Sequence, residues 1–369
     1  MNNISINTYN DLTNFFKNNF FKKIFILSGK KSFKLSKAEK IFKKLLIDKN
    51  VKYYFKVKPY PEISELKKII FNLRKFSPDL IIAIGGGSVL DYAKIANVLK
   101  NDLNLKKTII NSNYKIKERF AKLLAIPTTA GSGAEVTSNA VIYIGKKKYS
   151  VENDLIKPDF FICIPELILN SSHKIKSASG FDAISQSIES LISIKSNLIS
   201  VKYAKKSLEI SIKNYLNFLR NPTFSNTAKM CLAANLSGRA INISKTTAPH
   251  AVSYPFTSFF GISHGHAVSL TLSKFLKFNY LNLEKSKSNF NLLKRYEIIF
   301  KLFNVKTIFE LEKKLQKIQN DAKLENNLIK LGININSCYP KILSGVNVLR
   351  LKNNPIEISK KELKNILID

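Results

Sequence analysis

Two short glycine-rich loops, each directly after an apolar run, constrain this chain more than any other feature. The first, Gly85–Gly87, follows the apolar run 80–84, and the second, with Gly131 and Gly133, follows the run 123–126. Together they hold five of the 13 glycines in the chain. Glycine is used where the backbone needs unusual angles or where a ligand approaches it closely. The loops therefore predict ligand contact after two strands.

Strand-like and helix-like segments alternate through the first half of the chain. Strands are predicted at 22–27, 51–57, 79–84 and 123–126, and helices at 37–48 and 63–76. This order is typical of a parallel sheet with helices on both faces. After about residue 165 helical periodicity dominates, as in 183–194 and 201–216. We expect an α/β N-terminal domain with a parallel sheet over residues 1–165 and an all-α C-terminal domain over residues 166–369.

The formal net charge of +34 first suggests a nucleic-acid or membrane partner. Only six of the 60 basic residues are Arg, however, and the lysines are scattered. Lys, Ile and Asn are all abundant and all have A/T-rich codons, so codon bias accounts for much of the charge. We interpret it as a solvated lysine surface with no nucleic-acid partner, and keep a basic partner-binding role as the alternative.

Sequence features that are missing exclude further classes of function. The apolar runs are short and interrupted by lysine, so no membrane association is expected. The N-terminus does not follow the pattern of a secretory signal peptide. The three cysteines lie far apart with no CxxC pair, which suits the reducing cytoplasm and argues against a cysteine zinc site.

The side chains of the two loops suit a phosphate-bearing ligand. A helix predicted to begin near Ser88 would offer free N–H groups and the positive end of its dipole to a phosphate. The second loop carries hydroxyls that can bond phosphate, ribose or a carboxamide, on Thr128, Thr129, Ser132 and Thr137. A tight strand-to-helix connection and a Ser/Thr-rich turn remain the structural alternatives, since the spacing is not GxGxxG.

A second group of polar residues lies in the helical half. Asp182 and Gln186 are four residues apart and share a helix face. His250, His264 and His266 fall within seventeen residues of one another, without the HExxH spacing. A carboxylate, an amide and two imidazoles would form a mixed nitrogen–oxygen site suited to zinc or iron(II), although each His alone could be structural.

Four ordered motifs resemble those of the iron-containing (group III) alcohol dehydrogenases. Residues 85–94 are similar to the GGGSxxDxAK loop of that family, 127–135 to PTTAGTGSE, 180–183 to GxDA and 263–267 to (S/P)HGxA. The resemblance implies a dehydroquinate synthase-like fold and an NAD(P)-dependent oxidoreductase that acts on CH–OH or aldehyde groups. It also implies a small aldehyde or alcohol substrate and a homo-oligomer in the cytoplasm.

The resemblance assigns roles to the residues of the two loops. Residues implied to contact the cofactor are Gly29, Gly85, Gly86, Gly87, Ser88, Asp91, Thr128, Thr129, Ser132, Thr137 and Lys148. Family members that use NAD carry an Asp after the first strand, where this chain has Gly29 followed by Lys30 and Lys31. Loss of that carboxylate favours the 2′-phosphate of NADPH. These lysines could instead belong only to the lysine-rich surface.

The implied metal ligands are Asp182, Gln186, His250 and His264, with Fe²⁺ or Zn²⁺ as the metal. The family usually has His where this chain has Gln186, and often a second, proton-relaying His where it has Tyr254. Three options follow: a four-ligand site, a site with Asp182 and the two His completed by water, or a metal-free enzyme. Catalytic roles are implied for His250, His264 and Tyr254, whose phenol could supply the proton.

The segments 182–190, 249–255 and 350–355 look most like a subgroup, the phosphonoacetaldehyde reductases of phosphonate biosynthesis, which make 2-hydroxyethylphosphonate. The best interpretation is therefore a metal-dependent, NAD(P)H-linked reduction of phosphonoacetaldehyde, with the cofactor in the cleft between the domains. Reduction of another small aldehyde, or a dehydroquinate synthase-like or glycerol-1-phosphate dehydrogenase-like reaction, is the alternative. A non-catalytic binding protein is a third interpretation.

Overall fold

The computed structural model describes residues 8–368, which form two compact units. The first unit comprises the described residues up to Ser172 together with Thr223–Asn235. The second comprises His173–Pro222 and the described residues from Leu236 onward. The boundary near residue 165 stays a prediction, and no pattern in the sequence indicated that Thr223–Asn235 joins the first unit. Among residues 8–368, no helix combines the length and apolar character that crossing a membrane requires.

The first unit is built on a five-stranded sheet. The strands in chain order are β1 (Lys23–Gly29), β2 (Asn50–Lys56), β3 (Leu80–Gly85), β4 (Lys122–Pro127), β5 (Asn139–Ile144), β6 (Lys147–Glu152) and β7 (Phe160–Phe161). The sheet has the order β2-β1-β3-β4-β7, and all of its strand pairs are parallel. β5 and β6 form a separate antiparallel hairpin, which the sequence analysis did not predict. The parallel α/β sheet itself is confirmed.

Helices cover both faces of this sheet because its strands are apolar on both faces. Phe25 and Leu27 of β1 enter one buried cluster, and Ile24 and Ile26 enter another. The helices are α1 (Tyr9–Asn18), α2 (Lys30–Leu35), α3 (Ala38–Leu45), α4 (Ile63–Phe76), α5 (Gly87–Ala96), α6 (Leu105–Ile110) and α7 (Glu166–Leu169). The helix predicted at 37–48 begins later, because Lys37 adopts a left-handed conformation with φ of 64°.

The strand order reverses between β1 and β3. From β1 the chain crosses to β2 on one side and then returns to β3 on the other. The strands end in register, with Ser28 beside Ile84 and Gly85 beside Pro127. The loops after β1, β3 and β4 therefore leave one edge of the sheet, around the point where ligands bind in open α/β sheets.

The second unit is helical, as predicted. Its helices are α8 (His173–Ile192), α9 (Leu198–Arg220), α11 (Ala248–Phe260), α12 (His264–Leu281), α13 (Leu292–Phe303), α14 (Ile308–Asp321), α15 (Ile335–Gly345), α16 (Val348–Leu351) and α17 (Lys360–Ile368). The remaining helix, α10 (Phe224–Ser244), begins in the first unit and ends in the second. α8 is an interior helix, because almost every side chain from Lys176 to Ile192 is buried. This burial explains why its sequence lacks a clear polar face.

Candidate metal and cofactor sites

Three helices of the second unit bring Asp182, His250 and His264 together. Asp182 lies in the middle of α8, His250 in the first turn of α11, and His264 is the first residue of α12. One ligand atom from each residue lies within 4.8 Å of the others. Asp182 and His250 are buried, and His264 is half-buried. A carboxylate and two imidazoles this close together suit a divalent transition metal or zinc.

Gly265 makes this convergence possible. A Cβ atom on Gly265 would lie 1.9 Å from the carbonyl oxygen of Ala178 and 2.9 Å from the Cβ of Asp182. The first turn of α12 therefore packs directly on the backbone of α8. That close approach sets His264 beside Asp182.

Glu189 holds the ring of His250. Its carboxylate is fully buried and accepts hydrogen bonds from the Thr247 amide at 2.9 Å, the Thr247 hydroxyl at 3.0 Å and the His250 amide at 3.3 Å. The Nδ1–H of His250 donates to the same carboxylate. The other ring nitrogen, Nε2, lies 3.2 Å from Asp182 Oδ1. Such carboxylate–imidazole pairs orient metal ligands, a role for Glu189 that the sequence analysis missed.

Ser253 orients the ring of His264 in a similar way. Its hydroxyl donates its one hydrogen to the carbonyl of His250, at 2.8 Å. The same oxygen lies 3.3 Å from Nδ1 of His264 and can only accept there. We infer that His264 carries its ring proton on Nδ1, so that Nε2 would be its metal-binding nitrogen.

The charges within this cluster favour its ionised forms. Burial disfavours a charged imidazole, but the carboxylates of Glu189 and Asp182 outweigh it and raise the pKa of His250 to about 9. Burial likewise opposes the ionised form of Asp182, yet the hydrogen bond from His250 and the charge of His264 lower the pKa of this carboxyl below its ordinary value. An anionic carboxylate is the form that binds a metal.

Gln186 contacts this cluster without directing its oxygen into it. Its amide nitrogen donates to Asp182 Oδ2 at 3.1 Å, while its amide oxygen accepts from the Ser237 hydroxyl at 3.0 Å. Both hydrogen bonds are buried and hold Asp182 in place. The geometry favours the option in which the protein supplies Asp182 and two imidazoles, and Gln186 positions the carboxylate.

We expect Gln186→His to tighten metal binding about tenfold or more, because an imidazole adds a fourth protein ligand. Equilibrium dialysis against Zn²⁺ and Fe²⁺ measures the affinity. Gln186→Leu is the matched control, since it removes both amide hydrogen bonds and adds no ligand. A sharp loss of affinity in the Leu variant with no gain in the His variant would identify Gln186 as a ligand and contradict this prediction.

Tyr254 and Arg350 extend the cluster. The ring of Tyr254 stacks on that of His264 with centroids 5.8 Å apart and an interplanar angle of 30°. The side chain of Arg350, on α16, hydrogen-bonds the Tyr254 hydroxyl. Burial raises the pKa of Tyr254 to about 12, although the nearby Arg350 opposes the shift.

The other two histidines make separate contacts. Nε2 of His266 lies 2.7 Å from the carbonyl of Glu325, and Nδ1 of His173 lies 3.1 Å from the Ser177 hydroxyl. His266 follows His264 by two residues on α12, where a helix turns its side chain away from that of His264. Proximity in sequence therefore does not bring His266 into the cluster.

The glycine loops of the first unit have the shape of a phosphate cradle. β3 ends at Gly85, and α5 begins at Gly87 with Gly86 as its extended N-cap. A Cβ on Gly85 would lie 2.5 Å from the Val89 side chain, and one on Gly87 would lie 3.0 Å from the Ser132 hydroxyl. The two loops thus touch each other. Glycines, a helix N-terminus and the hydroxyl-bearing loop at the strand-order reversal fit a dinucleotide.

Some residues predicted to contact the cofactor have partners within the first unit. The Thr137 hydroxyl is buried and accepts from Nζ of Lys94 at 2.9 Å. Lys94, also buried, donates to the Asn139 carbonyl at 2.6 Å as well. Burial raises the pKa of Asp91 to about 6, against the charges of Lys94 and Lys148. Lys94 thus ties α5 to the β5–β6 hairpin. Cofactor contact by Asp91, Thr137 and Lys148 stays a prediction.

Comparisons with known proteins agree with these observations. The family model "Iron-containing alcohol dehydrogenase" matches residues 4–165, and the model of the C-terminal domain of this family matches residues 176–369. A phosphonoacetaldehyde reductase of Streptomyces viridochromogenes is 31% identical over 218 residues, which are 56% of this chain and 55% of that protein. A 1-propanol dehydrogenase of Citrobacter freundii is 28% identical over 245 residues, 65% of this chain and 62% of that protein. The chain thus spans less than two thirds of each relative.

Solved structures with the same fold match almost the whole chain. A sulfoacetaldehyde reductase from Bifidobacterium kashiwanohense, in complex with NAD⁺, has a TM-score of 0.85 at 24% identity and covers 98% of this chain and 94% of its own. An archaeal alcohol dehydrogenase from a Red Sea brine pool has a TM-score of 0.87 at 20% identity, with the same coverage of both chains. At these identities the likeness is one of fold. From the two family models, the chain belongs to the iron-containing alcohol dehydrogenase family.

Proposed function

We propose that this protein is a metal-dependent, NAD(P)H-linked aldehyde reductase. The observation that carries the proposal is the cluster of Asp182, His250 and His264, with one imidazole oriented by Glu189 and the other by Ser253. A buried carboxylate and two imidazoles held in defined orientations form a donor set for Fe²⁺ or Zn²⁺. Membership of the family supports the same activity.

The proposed reaction assigns a task to each group of residues. A bound divalent metal would polarise the substrate carbonyl, and a reduced nicotinamide would supply the hydride. Asp182, His250 and His264 would hold the metal. The backbone N–H groups at the start of α5, with the hydroxyls of Thr128, Thr129 and Ser132, would bind the cofactor phosphates and ribose. Gly85, Gly86, Gly87 and Ser88 would let the pyrophosphate approach the backbone.

Tyr254 is the proposed proton donor. Reduction of a carbonyl by hydride leaves an alkoxide oxygen, which takes up one proton. Because burial raises the pKa of Tyr254 to about 12, its phenol keeps its proton at neutral pH. Its ring stacks on the imidazole of His264, with the two ring centroids 5.8 Å apart. It takes the place of the second histidine that many family members carry.

Phosphonoacetaldehyde is the proposed substrate, with 2-hydroxyethylphosphonate as the product and the cytoplasm as the site of the reaction. The phosphonoacetaldehyde reductase relative supports this assignment. The test is oxidation of NADPH or NADH, followed by the loss of absorbance of the reduced nicotinamide, with phosphonoacetaldehyde against propanal and other neutral short aldehydes. Equal kcat/KM values on both kinds of aldehyde would rule out the narrow assignment. Absence of reduction with every aldehyde and both cofactors would rule out the activity.

We expect Gly29→Asp to shift cofactor preference towards NADH. Gly29 ends β1 beside the strand-order reversal, and a carboxylate there would repel a 2′-phosphate and bond the ribose hydroxyls of NADH. The ratio of kcat/KM for NADPH to that for NADH is expected to fall about tenfold or more. A Cβ at this position would lie 2.9 Å from the Ser32 hydroxyl, which can rotate away.

Gly29→Ala is the matched control, because it introduces the same steric contact with Ser32 and no charge. Its cofactor ratio is expected to stay near that of the wild type. If the Ala and Asp variants shift the ratio equally, crowding rather than charge governs the preference. If neither shifts it, Gly29 does not lie at the cofactor 2′ position.

A further inference from the structure

Arg350 is a buried cation mounted beside the metal-ligand cluster. Only 8% of its surface is exposed, although it lies on the four-residue helix α16. Its backbone N–H donates to Asn347 Oδ1 at 2.9 Å, and the Asn347 N–H donates to the carbonyl of Ala251 on α11 at 3.2 Å. The start of α16 is thus tied to the helix that carries His250 and Tyr254.

Hydrogen bonds also hold the segment that follows Arg350 in place. The Asn353 carbonyl accepts from the Ile194 amide at 3.1 Å, and its side-chain nitrogen donates to the Thr246 carbonyl at 3.0 Å. Asn354 exchanges hydrogen bonds with Asn279, of which the shorter is 2.7 Å. Both asparagines are buried. A segment with this many buried hydrogen bonds holds the guanidinium in one place, which a binding group requires.

The positive charge of Arg350 is not required to balance the carboxylates of the cluster when a divalent ion is bound. The two carboxylates that contact His250 belong to Asp182 and Glu189, and one divalent ion would balance both. Arg350 then adds a further positive charge next to Tyr254, whose ring stacks on His264. A substrate with an anionic group close to its carbonyl would complement that charge.

We propose that Arg350 binds the anionic head group of the substrate, so that the site selects short aldehydes carrying a phosphonate or sulfonate next to the carbonyl. This inference rests on the proposed function. A guanidinium presents five N–H donors in a planar fork, which matches two oxygens of a phosphonate or sulfonate. The phosphonoacetaldehyde reductase and the sulfoacetaldehyde reductase among the similar proteins both act, by name, on aldehydes with such a group.

The test compares Arg350→Gln and Arg350→Lys with the wild type in the full-length, metal-loaded enzyme. The substrates are phosphonoacetaldehyde, sulfoacetaldehyde and propanal, and the readout is the ratio of kcat/KM for each anionic aldehyde to that for propanal. In Arg350→Gln this ratio is expected to fall about 100-fold, mainly through KM, because a charge-assisted bidentate contact is lost. In Arg350→Lys the ratio is expected to fall less, because lysine keeps the positive charge but lacks the planar set of N–H donors.

Arg220→Gln is the control, because Arg220 is an exposed arginine whose contact is with Asp321 at 3.5 Å. A binding measurement runs in parallel and does not depend on turnover. Isothermal titration with 2-hydroxyethylphosphonate is expected to show an affinity about tenfold or more weaker in Arg350→Gln, at unchanged metal content.

The outcomes separate the inference from the proposed function. A wild type that reduces no aldehyde overturns the function, while the titration still reports whether Arg350 binds the phosphonate. An unchanged ratio and an unchanged affinity in Arg350→Gln overturn the inference and leave the reductase activity standing. Equal losses on propanal and phosphonoacetaldehyde also overturn it, because they show that Arg350 supports the whole site.

Discussion

Replacing His264 with alanine is expected to abolish aldehyde reduction, with kcat/KM at least about 1,000-fold below the wild type. His264 is one of three side chains whose ligand atoms lie within 4.8 Å of one another, so its loss leaves two of these candidate ligands. Two ligands cannot hold a catalytic metal in a defined geometry. Metal analysis of the purified variant should therefore show depletion of metal together with the loss of activity.

His266→Ala is the matched control for this experiment. It lies two residues away on the same helix, and its ring contacts the carbonyl of Glu325 rather than the cluster. We expect it to retain metal and most of the activity. A His264→Ala enzyme with wild-type rates would remove the metal from the mechanism altogether.

Gly265→Ala is expected to destabilise the protein by about 3 kcal/mol or more, at the upper end for overpacking. The added Cβ would lie 1.9 Å from the Ala178 carbonyl oxygen, and no flexible side chain is there to give way. The first turn of α12 must therefore move away from α8. Because that turn carries His264, metal affinity should fall together with the free energy of unfolding.

Denaturant unfolding and metal dialysis measure the two effects of Gly265→Ala. Gly86→Ala is the control, since a Cβ there would meet its nearest neighbour, the Thr129 side chain, at an ordinary 3.4 Å. We expect the free energy of unfolding of that variant to stay close to that of the wild type. A Gly265→Ala protein of unchanged stability would mean that α8 and α12 separate at little cost.

The fold was predictable because its signals are local. A run of five apolar residues, as at 80–84, followed at once by three glycines, marks a buried parallel strand and its turn. α4 was predicted within its observed bounds, because Leu66, Ile69, Ile70 and Leu73 form one apolar face. The β5–β6 hairpin was missed. Its turn lies at Gly145, with φ of 63°, and a lysine run follows the turn. Consecutive lysines are typical of an exposed surface segment rather than of a strand.

The candidate site was predictable in part. Asp182, His250 and His264 were identified from motifs, and the structure brings them together. Glu189, Ser253 and Arg350 lie in segments that resemble the subgroup, but no role was assigned to them, because their importance depends on which atoms face one another across helices. The amide of Gln186 illustrates the limit: the sequence shows an amide where an imidazole is usual, but only geometry shows that its oxygen faces Ser237. The ligand roles themselves stay predictions.

The division of α10 between the two units has a consequence for how such a protein can be taken apart. Asn235, in the part of α10 that belongs to the first unit, donates to the buried carboxylate of Glu135 at 3.0 Å. Met230 and Cys231, in the same part of the helix, are also buried. A gene fragment ending at Ser172 would therefore encode the whole sheet but lack the part of α10 that belongs to the same unit. The first unit is not continuous in sequence, so a chimaera that exchanges this unit must also exchange Thr223–Asn235.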